Sequence, residues 1–405
     1  MKLSVGSLAV FGGSPQFDEK LHVGRPNMGD RGRLFRHFSE ILDRKWLTNS
    51  GPCVQELEAR ICSLLNVRHC IATCNATVAL EVLTRALDLS GEVIVPAFTF
   101  VATAHALRWL GITPVFCDID PRTHSLDPAR VAELILPRTT AILGVHLWGK
   151  PAAIAELQSI ATKQKLKLLF DSAHAFGCSH RGTMIGNFGE AEVFSFHATK
   201  FFNTGEGGAI VTNDSALAAR IRLAHNFGFS GYDQVDCVGT NAKMSEFSAA
   251  IWLTNLESLQ SFIETNKRNY HLYRQGLSGI PGVRVFEYAE TERCNFQYVV
   301  LETDEAAGIM RDDLVKVLWA ENVLARRYFF PGCHRMEPYR SEMHDVSRRL
   351  PVTERLAETV LTLPSGTAVA PEAVLAICKL VRFVVECAEE ISSRLKERAA
   401  VCAVR

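Results

Sequence analysis

Residues 192–213 read EVFSFHATKFFNTGEGGAIVTN, and this stretch decides the fold prediction. A β-prone run, VFSFH, ends shortly before Lys200, and a glycine-rich return leads into a second apolar run that is typical of a neighbouring strand. A lysine that leaves a buried strand loses part of its hydration, which lowers its pKa and makes its amine a nucleophile toward an aldehyde. Lys200 is therefore a candidate catalytic residue, and the alternative is a solvated loop lysine.

A second candidate lies upstream, in the run LKLLFDSAHAFG at residues 166–177. The apolar part of this run ends at Asp171, and ligands of α/β proteins bind at the carboxyl ends of the sheet strands. Asp171 therefore occupies a favourable position for function. The alternative is an aspartate that only caps the segment after it.

The third candidate is a helix start within IATCNATVAL at residues 71–80. The small residues Asn75, Ala76 and Thr77 follow a short apolar strand. Free N–H groups and the positive end of the helix dipole make such a start suitable for a phosphate. Plain helix capping is the alternative for this segment.

Together, these three elements match the requirements of pyridoxal phosphate. That cofactor needs a lysine for its aldehyde, a carboxylate that keeps its pyridine nitrogen protonated, and a helix N-terminus for its phosphate. Asp171 at the end of one strand and Lys200 just beyond the next can lie on two sides of one ring. The sequence therefore predicts pyridoxal 5'-phosphate as the cofactor, Lys200 and Asp171 as catalytic residues, and no metal site.

The wider pattern predicts an α/β fold in two domains. Apolar strand-like runs alternate with amphipathic helix patterns from about residue 56 to residue 214, which is the signature of a mainly parallel sheet covered by helices. A long helix is predicted over residues 243–267, and antiparallel strands over residues 283–286 and 296–301. We therefore predict a large domain at residues 1–265, which includes an N-terminal arm, and a small domain at residues 266–405.

Composition excludes several classes of function. The 405 residues contain 44 Lys+Arg and 44 Asp+Glu, so the formal net charge is zero, which argues against nucleic acid or a membrane surface as partner. No apolar run is long enough to cross a bilayer. The 12 cysteines form no CxxC pair and are far too few for a disulfide scaffold. These features predict a soluble cytoplasmic protein.

Longer motifs resemble one known family. The segments DSAHAFG, FSFHATKFFNTGEGGAIVTND, HNFGFSGY and GTNAKMSE are similar to the DegT/DnrJ/StrS family of pyridoxal-phosphate sugar aminotransferases, and the resemblance runs from about residue 23 to residue 376. RYFFPGCHRMEPYR at residues 327–340 resembles the branch that acts on dTDP-4-keto-6-deoxyglucose. The resemblance implies an aspartate-aminotransferase fold (fold type I), a large domain with a mainly parallel seven-stranded sheet, and a homodimer with shared active sites.

The resemblance also assigns roles to individual residues. It places Lys200 at the position that forms the Schiff base and Asp171 at the partner of the pyridine nitrogen. The other positions that it implies for binding the cofactor are Ala76 and Thr77 in the phosphate turn, Phe100 stacked on the ring, His174 beside the phenolic oxygen, Ser195 on the phosphate, and Asn241 reaching in from the neighbouring subunit. Lys243, Tyr328 and His334 match positions near the substrate, although Lys243 stands where Arg is frequent.

The implied reaction moves an amino group from L-glutamate to C4 of a nucleotide-linked 4-keto-6-deoxyhexose, converting dTDP-4-keto-6-deoxy-D-glucose to dTDP-4-amino-4,6-dideoxy-D-glucose. C3 amination of a dTDP-3-keto sugar is one alternative, and a non-enzymatic cofactor-binding regulator is another. A regulator would be expected to lack Lys200 or Asp171. A substrate without a 6-hydroxyl favours apolar surroundings near C6, for which the candidates are Phe201, Phe202, Phe329 and Phe330.

Overall fold

The computed structural model describes residues 2–343 and 346–403. Its strands are β1 (Leu21–His22), β2 (His69–Thr73), β3 (Glu92–Pro96), β4 (Thr113–Cys117), β5 (Thr139–Val145), β6 (Lys167–Asp171), β7 (Ser179–His180), β8 (Thr183–Met184), β9 (Ala191–Ser195), β10 (Gly208–Thr212), β11 (Val283–Val285), β12 (Val299–Thr303), β13 (Val323–Leu324) and β14 (Val360–Leu363). Its α-helices are α1 (Arg31–Arg44), α2 (Pro52–Leu65), α3 (Ala76–Ala86), α4 (Ala102–Trp109), α5 (Pro128–Glu133), α6 (Ile154–Gln164), α7 (Ser215–Ala224), α8 (Glu246–Leu256), α9 (Leu259–Gly276), α10 (Arg311–Ala320), α11 (Tyr339–Glu342), α12 (Pro351–Thr359), α13 (Pro371–Glu386) and α14 (Ala388–Ala403).

The central sheet confirms the predicted architecture. Its seven strands lie in the order β2-β10-β9-β6-β5-β3-β4. β10 runs antiparallel to both of its neighbours, β2 and β9, and the other adjacent pairs are parallel. Every residue of β9 and β10 is buried, as expected for strands covered on both faces.

Helices cover both faces of this sheet. On one face, α2, α6 and α8 pack through Leu57, Leu157 and Trp252, among others. On the other face, α3, α4 and α7 pack through residues such as Leu83 and Leu107. The two layers leave the carboxyl ends of β5, β6 and β9 at one edge of the sheet, and those ends carry the predicted site.

A second, antiparallel sheet lies in the C-terminal part of the chain. It has the order β11-β12-β14, with Val283 opposite Thr303, which confirms the predicted pairing of two antiparallel strands after residue 280. The apolar core around it also takes in Val5 and Leu8 from the N-terminal arm. Residue 265 lies inside the continuous helix α9, so the division at residues 265 and 266 stays a prediction, and residues 404–405 of the second predicted domain lie outside the described residues.

The single long helix predicted over residues 243–267 is wrong. The chain forms α8 and α9 instead, with a break at Glu257 and Ser258. Just before the break, the hydroxyl of Thr254 donates to the carbonyl oxygen of Ala250 at 2.8 Å, a back-bond that bends helices. In the next residue, the side chain of Asn255 bonds outward to the backbone at Gly29 and Asn203. A helical sequence pattern does not reveal such a bend.

Within residues 2–343 and 346–403, every helix is either too short or too polar to cross a membrane.

Candidate active site

A cavity of about 650 Å³ opens at the carboxyl ends of β6 and β9, beside the N-terminus of α3. It brings together most of the residues that the sequence singled out. The predicted residues that line it are Ala76, Thr77, Phe100, Asp171, His174, Ser195, Lys200 and Tyr328. Three others, Asn241, Lys243 and His334, do not line the cavity.

Asp171 is the last residue of β6, and its carboxylate is buried. Oδ2 accepts a hydrogen bond from the hydroxyl of Thr103 in α4 at 2.8 Å, and Oδ1 accepts one from the backbone N–H of Ala173 at 3.1 Å. Burial raises the pKa of Asp171, while these two donors and the nearby Lys200 act in the opposite direction. The carboxylate is therefore held in one orientation, with donors that favour its charged form.

Lys200 lies in the loop between β9 and β10. Its backbone N–H donates to the carbonyl oxygen of His197 at 2.8 Å, and the loop closes where Thr204 N–H bonds the carbonyl oxygen of Phe196 at 2.8 Å. Burial lowers the pKa of the Lys200 ammonium to about 8, although the charge of Asp171 opposes the shift. About a tenth of this amine is therefore neutral, and so nucleophilic, at pH 7, far more than for an ordinary lysine.

Three asparagine side chains bond the backbone of the loop that carries Lys200 and its neighbours. Asn27 donates from its side chain to the carbonyl oxygen of Phe201 at 2.8 Å, and Asn203 donates back to the carbonyl oxygen of Asn27 at 2.9 Å. Asn255 donates to the carbonyl oxygen of Asn203 at 2.9 Å. The N-terminal arm and α8 thus both fix the backbone around the lysine.

The start of α3 is a candidate phosphate site. Asn75 caps the helix by accepting from the N–H of Val78 at 2.9 Å, so the N–H groups of Ala76 and Thr77 remain without an intrahelical acceptor. Gly208 explains the glycine-rich return, because a Cβ there would lie 2.8 Å from the backbone nitrogen of Ala76. The buried side chain of Ser195 also faces this end of the cavity. Together these donors suit a dianionic phosphate.

His174 forms part of the cavity wall on the far side of Asp171. Burial, and secondly the charge of Lys200, lower its pKa well below the usual value, so the imidazole is neutral. Its Nδ1 accepts from the backbone N–H of Trp148 at 3.2 Å, and its Nε2 lies 3.4 Å from the hydroxyl of Tyr298. Phe100 stands at the mouth of the cavity and is 58% exposed, so its ring is free to cover a planar ligand.

Asn241 and Lys243 lie outside the cavity, in the segment before α8. Asn241 is exposed and bridges to Asn226. Lys243 donates to the side-chain oxygen of Asn226 at 2.8 Å, and its ammonium lies 4.7 Å from the ring centre of Phe227. Neither residue reaches the cavity of its own chain.

His334 is buried away from the cavity. Its Nε2 lies 2.7 Å from Oε1 of Glu354, and the residue is 3% exposed. Burial lowers its pKa, while Glu354 acts in the opposite direction. Contact with a substrate would therefore require this segment to move or a partner to open it.

Of the four phenylalanine candidates for the apolar surroundings of C6, three do not line the cavity. Phe201 and Phe202 pack beneath the lysine loop with Phe176, Phe196 and Trp252. Phe330 is exposed, with the guanidinium of Arg327 over its ring. Phe329 alone of the four lines the cavity.

Sequence reasoning missed several cavity residues. His197 lines the cavity, with its Nε2 3.6 Å from Oε1 of Glu206. Tyr298 and Arg326 enter from the C-terminal part of the chain, where no local pattern links them to Lys200. Thr103 carried a weak signal, because it follows Thr99 by four positions at the end of an apolar run, and the two hydroxyls lie 3.2 Å apart.

These groups fit pyridoxal phosphate. The structure supplies a buried carboxylate for a protonated ring nitrogen, an amine of lowered pKa for an aldehyde, and free N–H groups for a phosphate, all around one cavity. Among the residues that the structure describes, no group of His, Cys, Asp and Glu has the arrangement of a metal site.

Comparisons with known proteins agree with this site. The model of the DegT/DnrJ/EryC1/StrS aminotransferase family matches residues 30–382. A dTDP-4-amino-4,6-dideoxy-D-glucose transaminase from Escherichia coli is 35% identical over 366 residues, which cover 90% of this chain and 98% of that protein. A GDP-perosamine synthase from Caulobacter vibrioides is also 35% identical, over 85% of this chain and 93% of that one.

A solved structure adds to these sequence relatives. The crystal structure of DesI in the presence of its TDP-sugar product superposes with a TM-score of 0.93 at 50% identity, and the match covers 97% of this chain and 100% of that one. The likeness therefore extends from the cavity to nearly the whole fold. The chain belongs to the DegT/DnrJ/EryC1/StrS aminotransferase family, and it is a pyridoxal-phosphate-dependent sugar aminotransferase.

Proposed function

We propose that this enzyme moves an amino group from L-glutamate to C4 of dTDP-4-keto-6-deoxy-D-glucose, which gives dTDP-4-amino-4,6-dideoxy-D-glucose. The observation that carries this proposal is the 50% identity to DesI, whose structure was determined with a TDP-sugar product. The Escherichia coli relative is named for the same product.

The residues around the cavity support a two-stage amino transfer. When bound, pyridoxal phosphate supplies an electron sink for the carbon that loses its proton. Asp171 keeps a proton on the ring nitrogen through its buried carboxylate. Lys200 Nζ, with a pKa of about 8, takes the proton from the amino donor's α-carbon and later delivers one to C4 of the sugar.

The part of the cavity away from α3 suits the sugar nucleotide. Tyr298, Tyr328 and Phe329 present aromatic surface there, and Phe329 provides an apolar neighbour for a 6-deoxy carbon. The guanidinium of Arg326 lies 5.3 Å from the ring centre of Tyr328 and pairs with no acidic side chain of the described residues. Its charge therefore remains available for a carboxylate or a diphosphate.

We infer that two subunits complete each site. Asn241 bridges to Asn226, and the ammonium of Lys243 lies over the ring of Phe227; Phe227 and Phe229 are 46% and 42% exposed. Apolar side chains grouped at a surface in this way favour contact with another protein. A second copy of the chain would cover them and bring Asn241 to the partner's candidate phosphate site and Lys243 to its substrate.

A cytoplasmic location is also part of the proposal. The eleven cysteines from Cys53 to Cys387 are all free, including the buried Cys117 and Cys178. Reduced thiols are typical of a reducing compartment.

The test is a panel of keto sugars with L-glutamate as the donor. It contains dTDP, GDP and UDP forms of the 4-keto-6-deoxy sugar and a dTDP-3-keto sugar, with products identified by NMR. The GDP arm is included because a GDP-perosamine synthase is as similar to this chain as the Escherichia coli relative. We expect the wild type to prefer the dTDP-4-keto sugar and to give an equatorial C4 amine. Lys200→Ala should turn over no sugar of the panel.

Other outcomes would contradict particular parts of the proposal. Nitrogen on C3 or an axial C4 amine would overturn the regiochemistry or the stereochemistry. Turnover of the GDP or UDP sugar alone would overturn the assignment of dTDP as the nucleotide of the substrate. Absence of amino transfer from L-glutamate to every sugar of the panel would overturn the proposed reaction.

A further inference from the structure

Trp148 lies behind His174 and holds it through the main chain. The backbone N–H of Trp148 donates to Nδ1 of His174 at 3.2 Å, and the two rings stack with 19° between their planes. Because Nδ1 accepts this hydrogen, a neutral imidazole has to carry its own proton on Nε2. Nε2 lies at the cavity wall, 3.4 Å from the hydroxyl of Tyr298.

The backbone of Trp148 is in an unusual conformation. Its φ of 62° and ψ of 0° lie in the left-handed region, which bulky residues adopt only when their surroundings hold them there. Gly149 follows with φ of 90°, and a Cβ on it would lie 2.9 Å from the carbonyl oxygen of His174. The turn therefore packs closely against the backbone of His174.

The indole of Trp148 makes the contact that holds this turn. Its Nε1–H donates to Nδ1 of the buried His124 at 3.1 Å. An indole N–H can only donate, so His124 must also carry its proton on Nε2. That nitrogen lies 3.1 Å from Oε1 of Glu302, and Arg284 holds the other oxygen of Glu302 at 2.5 Å.

These contacts connect the second sheet with the cavity. Glu302 belongs to β12 and His124 to the segment after β4. Tyr288 adds a contact from the C-terminal part, because its hydroxyl donates to the carbonyl oxygen of Tyr298 at 2.7 Å and lies 3.3 Å from the carbonyl oxygen of Trp148. The orientation of Trp148 thus depends on side chains from both parts of the chain.

We propose that Trp148 is a positioning residue that fixes His174 as a neutral imidazole with its proton on Nε2, directed into the cavity. His124 and Glu302 act through Trp148 by holding its indole. The imidazole then offers an N–H donor to an oxygen of the bound cofactor and adds no positive charge beside Lys200. Burial and the charge of Lys200, which lower the pKa of His174, act in the same direction.

The proposal can be tested by NMR of the holoenzyme labelled with ¹⁵N-histidine, in which long-range ¹H–¹⁵N correlations report the protonated ring nitrogen. The signals of His174 are assigned by their loss in His174→Gln. In the wild type, we expect the proton of His174 on Nε2. Trp148→Phe keeps the backbone N–H and removes the indole N–H, so the two ring-nitrogen resonances of His174 should shift toward each other as both tautomers become populated.

Three further variants separate hydrogen bonding from packing. Phe98→Leu is the packing control, because Phe98 contacts His124, Trp148 and Phe329 edge-on without a hydrogen bond, and it should leave the tautomer of His174 unchanged. His124→Gln retains an acceptor for the indole and should preserve the tautomer, whereas His124→Leu should shift it as Trp148→Phe does.

The proposal is overturned if wild-type His174 carries its proton on Nδ1 or on both nitrogens. It is also overturned if Trp148→Phe and His124→Leu leave the resonances of His174 at their wild-type positions. If Trp148→Phe does not fold, the wild-type tautomer and the two His124 variants still decide the question. The tautomer is read without any sugar, so a failure here would leave the proposed function standing.

Discussion

The hydroxyl of Thr103 donates a 2.8 Å hydrogen bond to Oδ2 of Asp171, so helix α4 fixes the carboxylate at the end of β6. The second oxygen, Oδ1, is held by the backbone N–H of Ala173. Burial alone would favour the protonated acid, and these donors favour the carboxylate instead. The charge state of Asp171 is therefore set in part by a residue on a neighbouring helix.

Thr103→Val should weaken cofactor binding by roughly tenfold or more, since a hydrogen bond to a charged group contributes about 1.5–3 kcal/mol. The change removes one donor, which raises the pKa of Asp171 further and weakens its hold on a protonated ring nitrogen. The dissociation constant of pyridoxal phosphate, measured by absorbance titration, is the readout. Thr254→Val is a matched control, because its buried hydroxyl bonds within its own helix. Equal affinities in both variants would contradict the role of Thr103.

Asp171→Asn should retain part of the bound cofactor and lose most amino transfer. The amide cannot keep the ring nitrogen protonated, although the candidate phosphate site at α3 remains intact. We expect kcat to fall by roughly a hundredfold or more, the scale for losing one preorganised electrostatic partner. Single-turnover kinetics with glutamate would measure this loss without the sugar.

Asp118→Asn provides the matched control for that variant. Asp118 is a second buried aspartate at the sheet edge, after β4, and its oxygens accept from the N–H groups of Val352 and Thr353 and from the Thr353 hydroxyl. It holds α12 and does not line the cavity. We expect Asp118→Asn to lower the melting temperature and to leave the chemical step nearly unchanged. Near wild-type turnover in Asp171→Asn would refute its role.

The amine of Lys200 should titrate near pH 8 in cofactor-free protein, because burial lowers its pKa to about 8. Below that pH the ammonium is protonated and unreactive, and above it the neutral amine is acylated. An ordinary lysine titrates at about 10.4. Competitive labelling with acetic anhydride over a pH series, read by mass spectrometry against Nα-acetyl-lysine amide, would measure the midpoint.

Asp171→Asn gives that titration an internal check. The charge of Asp171 raises the pKa of Lys200 against the effect of burial, so its removal should move the midpoint below the wild-type value. An ordinary lysine midpoint in the wild type would show that Lys200 is solvated, and an unchanged midpoint in Asp171→Asn would show that the two groups do not interact.

Local sequence signals explain how much of this site was predictable. Asp171, Lys200 and the start of α3 each follow a buried strand, and a parallel sheet brings the ends of such strands to one edge. The strand pattern and the glycine-rich return therefore predicted the sheet and three parts of the cavity lining, namely Asp171, Lys200 and the start of α3. The assignment of His174 needed the family resemblance, because a histidine after a strand has no distinctive spacing.

The rest depended on tertiary packing. Tyr298 directly precedes β12, which pairs with β14, and Arg326 bridges to Thr362 of β14, so both reach the cavity from the second sheet at sequence distances that no motif spans. Phe201 and Phe202 directly follow Lys200, yet the loop turns them into the core against Trp252. The apolar residues next to Lys200 in the sequence therefore did not predict which side chains line the cavity.

Mixing two inactive variants should restore activity if the sites are shared between subunits. Lys200→Ala removes the amine from its own cavity, and Asn241→Asp places a negative charge where the partner's phosphate would bind. In a hybrid dimer, one site then carries both lesions and the other carries neither. With random exchange, about a quarter of wild-type sites should recover.

Each variant alone, treated by the same exchange procedure, is the control and should remain inactive. Mass spectrometry of intact dimers would verify the exchange. Because Asn241 is exposed and lies outside the cavity of its own chain, its substitution leaves the fold of the isolated subunit undisturbed. Verified hybrids without activity would show that each chain builds its site alone, and full activity of Asn241→Asp by itself would show that Asn241 does not face a phosphate.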